Sequence, residues 1–274
     1  MSKNPLDDAQ KLLASLLPAA SGELHSGLEQ LAGLITAGQE QLSGLVTQNA
    51  QFVSVMVHEI RVPMTSIKGY SDMLAKNIVG ELNEQQMQFM DTIRNNVSRM
   101  EHLVSDISDI SKIVSGRMRL DPKMDMYKNI ALKVEKETAD LVTERGHTLV
   151  FDTPQGLPLL NLDTDRLAQA LQKMVVNALN YTPENNEIIV RAEDVEGKLK
   201  VSVIDPGIGM SEEDQAHLGE LFWRADAEHV RSFKGHGLGI PIAKGFVELL
   251  GGEFFFESKE GEGSTFGFVV PGMS

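Results

Sequence analysis

Four short stretches hold residue types that could do chemistry. In "FVSVMVHEIRVPMTSIKGY" (52–70), His58 stands beside Glu59 inside an otherwise apolar helical pattern. A neutral imidazole is a nucleophile, and a carboxylate that takes the proton from one ring nitrogen sharpens the other. A zinc-protease reading fails, because it needs a second histidine four residues on and Val62 stands there. A surface ion pair and a packed core histidine are the plain alternatives. In "DRLAQALQKMVVNALNYTP" (165–183), Lys173, Asn177 and Asn180 share one helical face, opposite Leu167, Leu171, Met174, Val175 and Ala178. Such a face could hold a magnesium ion and phosphate oxygens, or simply be solvated.

The third stretch is "VSVIDPGIGMS", ending at Ser211. Strand parity puts Asp205 on the same side as Leu199, Val201 and Val203. A carboxylate on an apolar face is costly unless a donor meets it, and an adenine amino group is one such donor. Gly207 and Gly209 would let backbone approach a ligand closely, or form an ordinary turn. In "FKGHGLGIPIAKG" (233–245), Gly235, Gly237 and Gly239 precede an apolar helix. Glycines entering a helix N-terminus suit an anion, though a flexible loop would carry the same letters. The dinucleotide fingerprint does not fit, since its spacing is wrong and "RSFK" before it is no buried strand.

The elements that must position these groups fall into two textures. Residues 24–62 carry a heptad seam through Leu28, Leu31, Ile35, Gly38, Leu42, Leu45, Asn49, Phe52 and Met56. His58, two residues past Met56, is expected outside the tightest core. Pro63 is expected to kink or interrupt the helix; the rhythm resumes at Met64, Ile67, Ser71 and Leu74. "NIVGELNEQ" (77–85) reads as a turn, and a second long helix is expected over about 84–115. Its apolar stripe is too wide for two helices alone, which predicts a homodimer forming a four-helix bundle. "SGRMRLDPKMD" (115–125) reads as a hinge. Beyond it, "EIIVRAEDV" and "KLKVSVID", joined near Gly197, predict a hairpin, and "GGEFFFESKEGEGSTFGFVV" a second. Helices are expected at about 126–144, 164–180 and 240–250. The expected fold is therefore multidomain: an all-α antiparallel helical hairpin, dimerising as a four-helix bundle, followed by an α+β sandwich.

Composition narrows the partners. The 274 residues carry a formal net charge of −14 and no cysteine. An acidic surface repels nucleic acid and anionic lipid. The absence of cysteine excludes disulfides and thiolate metal sites, and fits a reducing compartment. No apolar run reaches the roughly 20 residues of a membrane span. A soluble, cytoplasmic chain with no direct membrane insertion is the expectation.

The order and spacing of the stretches resemble the sensor histidine kinases of bacterial two-component systems, over roughly residues 45–271. "FVSVMVHEIRVPMTSIKGY" resembles that family's phosphoacceptor box, and "LVSDISDISKIVSGRMRL" the end of its second dimerisation helix. "QKMVVNALNYTP" resembles the asparagine box, "VIDPGIGM" the first glycine box, "LFWRAD" the phenylalanine box, "GHGLGI" the second glycine box and "GEGSTFGFVVP" the closing strands. The resemblance implies an N-terminal segment with a coiled-coil-like signal helix (1–44). A dimerisation and histidine phosphotransfer domain (45–119) and a catalytic ATP-binding domain (120–274) would follow. It implies that His58 takes the γ-phosphoryl group of ATP with Glu59 as general base, and that Asn177 ligates Mg²⁺. Asp205 would read the adenine amino group, and Tyr181 would lie near the base or phosphates. Lys173, Asn180, Gly207, Gly209, Phe222, Gly235, Gly237, Leu238, Gly239 and Thr265 complete the implied nucleotide site, with a mobile lid at about 211–236. The implied partner is the receiver domain of a response regulator.

Several positions depart from the family pattern. Lys173 stands where asparagine is usual and Asn180 where lysine is, so a positive charge has moved two turns along one face. Lys173 would then neutralise phosphate or repel Mg²⁺. Val62 replaces the threonine or asparagine that orients water for dephosphorylating the partner, and valine has no hydrogen-bonding group. Gly219 stands where a first phenylalanine is common, and His236 where threonine is frequent. Two other functions compete with the kinase: a catalytically weak nucleotide-binding dimeric scaffold that signals by conformation, and an ATPase that does not phosphorylate itself.

Overall fold

The computed structural model describes residues 5–19, 21, 23–225 and 235–273. The chain divides into two compact units, Met1–His58 and Glu59–Ser274.

In the first unit a short helix that the sequence pattern did not suggest, α1 (Pro5–Leu16), leads through a 3₁₀ turn (Leu17–Ala19) to the start of α2 (Glu23–Ala75). Leu13 is buried, Gln39 Nε2 donates to Gln10 Oε1 at 3.2 Å, and His25 Nδ1 lies 3.2 Å from the Leu17 carbonyl. These contacts fold α1 back along α2. The heptad positions Leu31, Leu42, Leu45, Phe52 and Met56 are exposed in the single chain, while Ala50 and Val57 are buried. The observed period of seven is thus offset from the expected seam.

The second unit opens with the rest of α2. The helix runs unbroken through Pro63, against the expectation of an interruption. Proline withholds one N–H from the Glu59 carbonyl, but Glu59 is exposed to water there and Met64, the next residue, is only 2% exposed. Burial of the neighbouring turn offsets the lost hydrogen bond. A turn leads to α3 (Glu84–Val114), whose start is a capping box of Asn83 and Gln86. Met64 and Ser71 on α2, and Val97 and Val104 on α3, are buried at spacings of seven. Lys68–Glu101 (2.7 Å) and Arg94–Asp72 (2.9 Å) tie the arms of the hairpin together.

After α3 come β1 (Lys123–Met126), α4 (Tyr127–Arg145), β2 (Thr148–Asp152), β3 (Leu159–Leu162) and α5 (Thr164–Tyr181). Then follow β4 (Glu187–Val195), β5 (Lys198–Asp205), α6 (Glu212–Ala216), α7 (Gly239–Leu249), β6 (Glu253–Lys259) and β7 (Gly263–Pro271). The main sheet has the order β2-β4-β5-β7-β6; β2 is parallel to β4 and every other pair is antiparallel. Strands β1 and β3 form a separate antiparallel pair. The apolar faces of α4, α5 and α7 pack with the sheet into one core that includes Val134, Leu171, Met174, Val190, Val201, Phe246 and Phe268. Both expected hairpins are present, as β4–β5 and β6–β7. This is a helical hairpin followed by an α/β sandwich with a mixed sheet.

Candidate functional site

The sandwich holds a cavity of about 720 Å³ between α5, the end of β5, the segment after it and the entry to α7. Helix α5 starts where Asp163 caps it, its side chain accepting from the Arg166 N–H at 3.1 Å. Its apolar face (Leu167, Leu171, Met174, Val175, Ala178) is buried in the core. The opposite stripe therefore turns Lys173, Asn177 and Asn180 to the cavity wall, with Tyr181 beside them.

Asp205 ends β5 with Leu199, Val201 and Val203 buried on the same face, and is itself 6% exposed. Its Oδ1 accepts the Gly207 N–H at 2.9 Å. Burial pushes this carboxyl up to about 6, although the backbone N–H groups of Gly207 and Ser264 favour its charged form. The cavity thus has one buried acceptor whose charge is only partly compensated by protein donors. Gly207 does not line the cavity; it holds Asp205 from behind. Gly209 does line it, at φ +64°, and a Cβ there would lie 1.9 Å from the Lys259 carbonyl oxygen. Because the obstacle is backbone and the φ is left-handed, Gly209→Ala is expected to destabilise the chain by about 2–4 kcal/mol. Urea unfolding followed by fluorescence of Trp223, the single tryptophan, measures this.

At the other rim, Gly235, Gly237, Leu238 and Gly239 line the cavity, with Leu238 buried as its floor. The Phe222 N–H donates to the Gly237 carbonyl at 3.2 Å and Arg224 Nη1 to the Gly235 carbonyl at 3.0 Å. A Cβ on Gly237 would meet the Trp223 carbonyl at 2.5 Å, so these two strands of chain can lie this close only with glycine there. Of the expected lid, residues 226–234 lie outside the described residues. Phe222 is not on the cavity: its φ of +65° turns it outward, 62% exposed, and Trp223 lines the cavity instead, stacked 5.5 Å from His217. Thr265 is likewise absent from the cavity wall; it borders a separate hollow beside Glu257 and Lys259, because its neighbour Ser264 takes the inward position of β7.

Helix α3 supplies a wall that the sequence motifs did not suggest, through Arg99, His102 and Asp106. Lys173 Nζ donates to Asp106 Oδ1 at 2.6 Å. A few residues along, Arg166 pairs with Asp109 at 3.5 Å and lies over the Phe246 ring. The signal that could have found this is the "SDISD" step, two acids set into the apolar stripe of Ile107 and Ile110. His58 and Glu59 stand on α2, both exposed. Among the described residues no group of three or more His, Cys, Asp or Glu is placed to hold a metal ion. A hard cation in this cavity would be met by amide oxygens of the α5 face and by its ligand's own oxygens, which suits magnesium.

Residues 48–116 match the family model for the His Kinase A (phospho-acceptor) domain. Residues 162–273 match that for the histidine kinase-, DNA gyrase B- and HSP90-like ATPases. A helical phosphoacceptor hairpin joined to such an ATPase sandwich defines a class, and relatives that are themselves histidine kinases match along both parts: the chain belongs to the sensor histidine kinases of bacterial two-component systems. Histidine protein kinase DivJ of Caulobacter vibrioides is 31% identical over 228 residues, covering 81% of this chain and 37% of its own. The non-motile and phage-resistance protein of the same organism is 31% identical over 227 residues, covering 81% and 27%. Sensor histidine kinase WalK of Bacillus subtilis is 29% identical over 224 residues, covering 81% and 36%. The chain thus spans between about a quarter and two fifths of these relatives. Full-length ShkA, solved in complex with AMPPNP, superposes with a TM-score of 0.70 at 22% identity over 82% of this chain and 46% of that one. The Acinetobacter baumannii histidine kinase AdeS gives 0.54 at 20% identity, over 79% and 98%. At those identities the likeness is one of fold.

Proposed function

We propose that the chain is an ATP-dependent protein-histidine kinase that phosphorylates itself on His58 and passes the phosphoryl group to an aspartate of a response regulator. The observation that carries this reading is Asp205, a buried acceptor at the wall of the same cavity that the amide face of Asn177 and Asn180 lines. A base amino group would meet the first and phosphate oxygens the second. One structure of similar fold supports it, since ShkA was solved in complex with AMPPNP.

In the proposed reaction a ring nitrogen of His58 attacks the γ-phosphorus in line. The N–P bond forms as the bond to the β,γ-bridging oxygen breaks, ADP leaves, and Glu59 takes the imidazole proton. Asn177, with Asn180 along the same face, would hold a magnesium ion, which neutralises charge on the phosphates when bound. Tyr181, Gly209, Leu238 and Gly239 enclose the nucleotide. The segment at 115–122 would serve as the hinge; its Asp121 N–H is anchored on Asp163 at 3.0 Å. The large apolar residues left exposed along the hairpin, among them Ile60, Ile67, Ile93 and Met100, support a homodimer in which a second copy covers them. No described helix is long and apolar enough to cross a membrane; we place the reaction in the cytoplasm, where ATP is supplied.

Incubation with γ-labelled ATP tests the reading. A kinase acquires a label that is lost in acid and kept in base. An ATPase releases phosphate without being labelled, and a scaffold only binds. The scaffold remains the second reading because Lys173, placed where the family usually has asparagine, is engaged by Asp106.

The exposed Val62, four residues past His58, offers no group to orient water. Val62→Thr is therefore expected to raise dephosphorylation of a phosphorylated cognate regulator by about tenfold or more. Measured decay of the phosphorylated regulator, with and without each variant, decides it.

A further inference from the structure

The α3 wall of the cavity is built of matched charges. Asp106 and Asp109 lie one turn apart on α3, while their partners Lys173 and Arg166 lie two turns apart on α5 in reverse order. The two helices are thus laced antiparallel by two ion pairs. Both are largely withdrawn from water: side-chain exposures are 26% and 16% for Lys173 and Asp106, and 23% and 14% for Arg166 and Asp109. Beyond them, α7 comes so close to α3 that a Cβ on Gly245 would meet Ile113 at 2.8 Å. The sandwich is clasped to the second arm of the hairpin by the same face that lines its cavity.

Lys173 is the side chain common to both. It sits one turn before Asn177 on the cavity wall, yet its ammonium group is on Asp106. An ammonium group on a flexible stem has no fixed partner and goes to the larger local negative charge. Triphosphate oxygens beside Asn177 would be that charge. Withdrawing Lys173 leaves Asp106 a half-buried carboxylate without its cation, which weakens the clasp.

We propose that Lys173 is an exchange residue: it either holds the sandwich against α3 through Asp106 or is drawn to the phosphates of a bound nucleotide. Asp106 is thus a positioning residue that acts through Lys173. Nucleotide binding and clasping oppose each other, and by linkage each weakens the other by the same factor. Arg166 and Asp109, which do not line the cavity, remain as the nucleotide-independent part of the clasp. The inference rests on the nucleotide-binding reading above.

The test uses the full chain, an ADP analogue and an ATP analogue that is not hydrolysed, with Trp223 fluorescence for affinity and hydrogen exchange along α3 for clasping. Asp106→Asn is expected to bind the ATP analogue about tenfold more tightly, because Lys173 no longer has a competing carboxylate. Exchange in residues 103–114 is expected to rise in that variant without nucleotide, and to rise in the native chain when the ATP analogue is added. Lys173→Met should loosen the clasp equally but gain no affinity. Adding Asp106→Asn to Lys173→Met should then change nothing further in affinity. Damage to the fold would lower affinity, so a gain cannot come from a merely structural role. If the native chain binds and Asp106→Asn leaves affinity unchanged or lowers it, the exchange is overturned while the nucleotide reading stands. If the native chain binds neither analogue, both fall.

Discussion

His58→Gln is expected to abolish acid-labile incorporation of label from γ-labelled ATP, to background, while nucleotide affinity stays within about twofold. The reason is local chemistry. Glutamine fits the same exposed helical position, but its amide nitrogen has no available lone pair, so no N–P bond can form. Nucleotide affinity is preserved because the cavity is lined from α3, α5, β5 and the entry to α7, and not from residue 58. Glu59→Gln is a graded companion: loss of the proton acceptor is expected to slow labelling by about 10²–10⁴-fold without eliminating it. Phosphorimaging of the denatured protein at alkaline pH measures both. A His58→Gln protein that still acquires acid-labile, base-stable label would remove His58 from the reaction.

Asp205→Asn is expected to weaken binding of adenine nucleotides by about 100-fold, the value of a hydrogen bond from the base amino group to a charged carboxylate. The same carboxylate makes opposite predictions for stability and for binding as pH changes. Its native pKa of about 6 lies above the ordinary 3.8 because burial disfavours the charge. Between those values the folded state holds a proton that the unfolded state has lost. The contribution of Asp205 to stability is therefore fully present below about pH 4 and is lost as pH rises to 6, a cost of about 3 kcal/mol at neutral pH. Nucleotide binding needs the ionised acceptor, so affinity should fall by about tenfold per unit as pH drops below 6. Titration of the phosphates adds its own pH dependence, so the quantity to measure is the difference between native chain and Asp205→Asn. A difference that does not vary between pH 5 and 7.5 would contradict the assignment of Asp205 as the base-reading group.

What could be read from the letters follows a physical rule. The hairpin of β4 and β5 was legible because two largely alternating stretches, Glu187 to Val195 and Lys198 to Asp205, meet at a short turn that contains Gly197. Helix α5 was legible because one face is apolar without exception. The inward direction of Asp205 was legible as well, since a strand leaves a side chain only two directions. By contrast, β1, β2 and β3 are only four or five residues long, too short for any period to stand out. β2 forms only by lying parallel to β4, across a whole helix and a further strand. Helix α1 does carry a three-four period, through Leu6, Ala9, Leu13 and Leu16, but over only 12 residues.

At the site the same division holds. Motif order located Asn177, Asp205, Gly209 and the glycines before α7, all of which meet at one cavity. It placed Phe222 there too, but a single left-handed φ turned that ring outward and brought Trp223 in. Pro63 looked like a break, and burial of Met64 kept the helix continuous.

By itself the sequence determined which residues could act and on what kind of element each would stand, because helix and strand periods and glycine positions are local properties of the chain. Only the tertiary structure decided what faces what. Lys173 and Asp106 are 67 residues apart, and no local pattern in either helix names the other. Their meeting is set by how the α5–α7 layer packs against α3, a result of long-range burial that exists only once the core has formed.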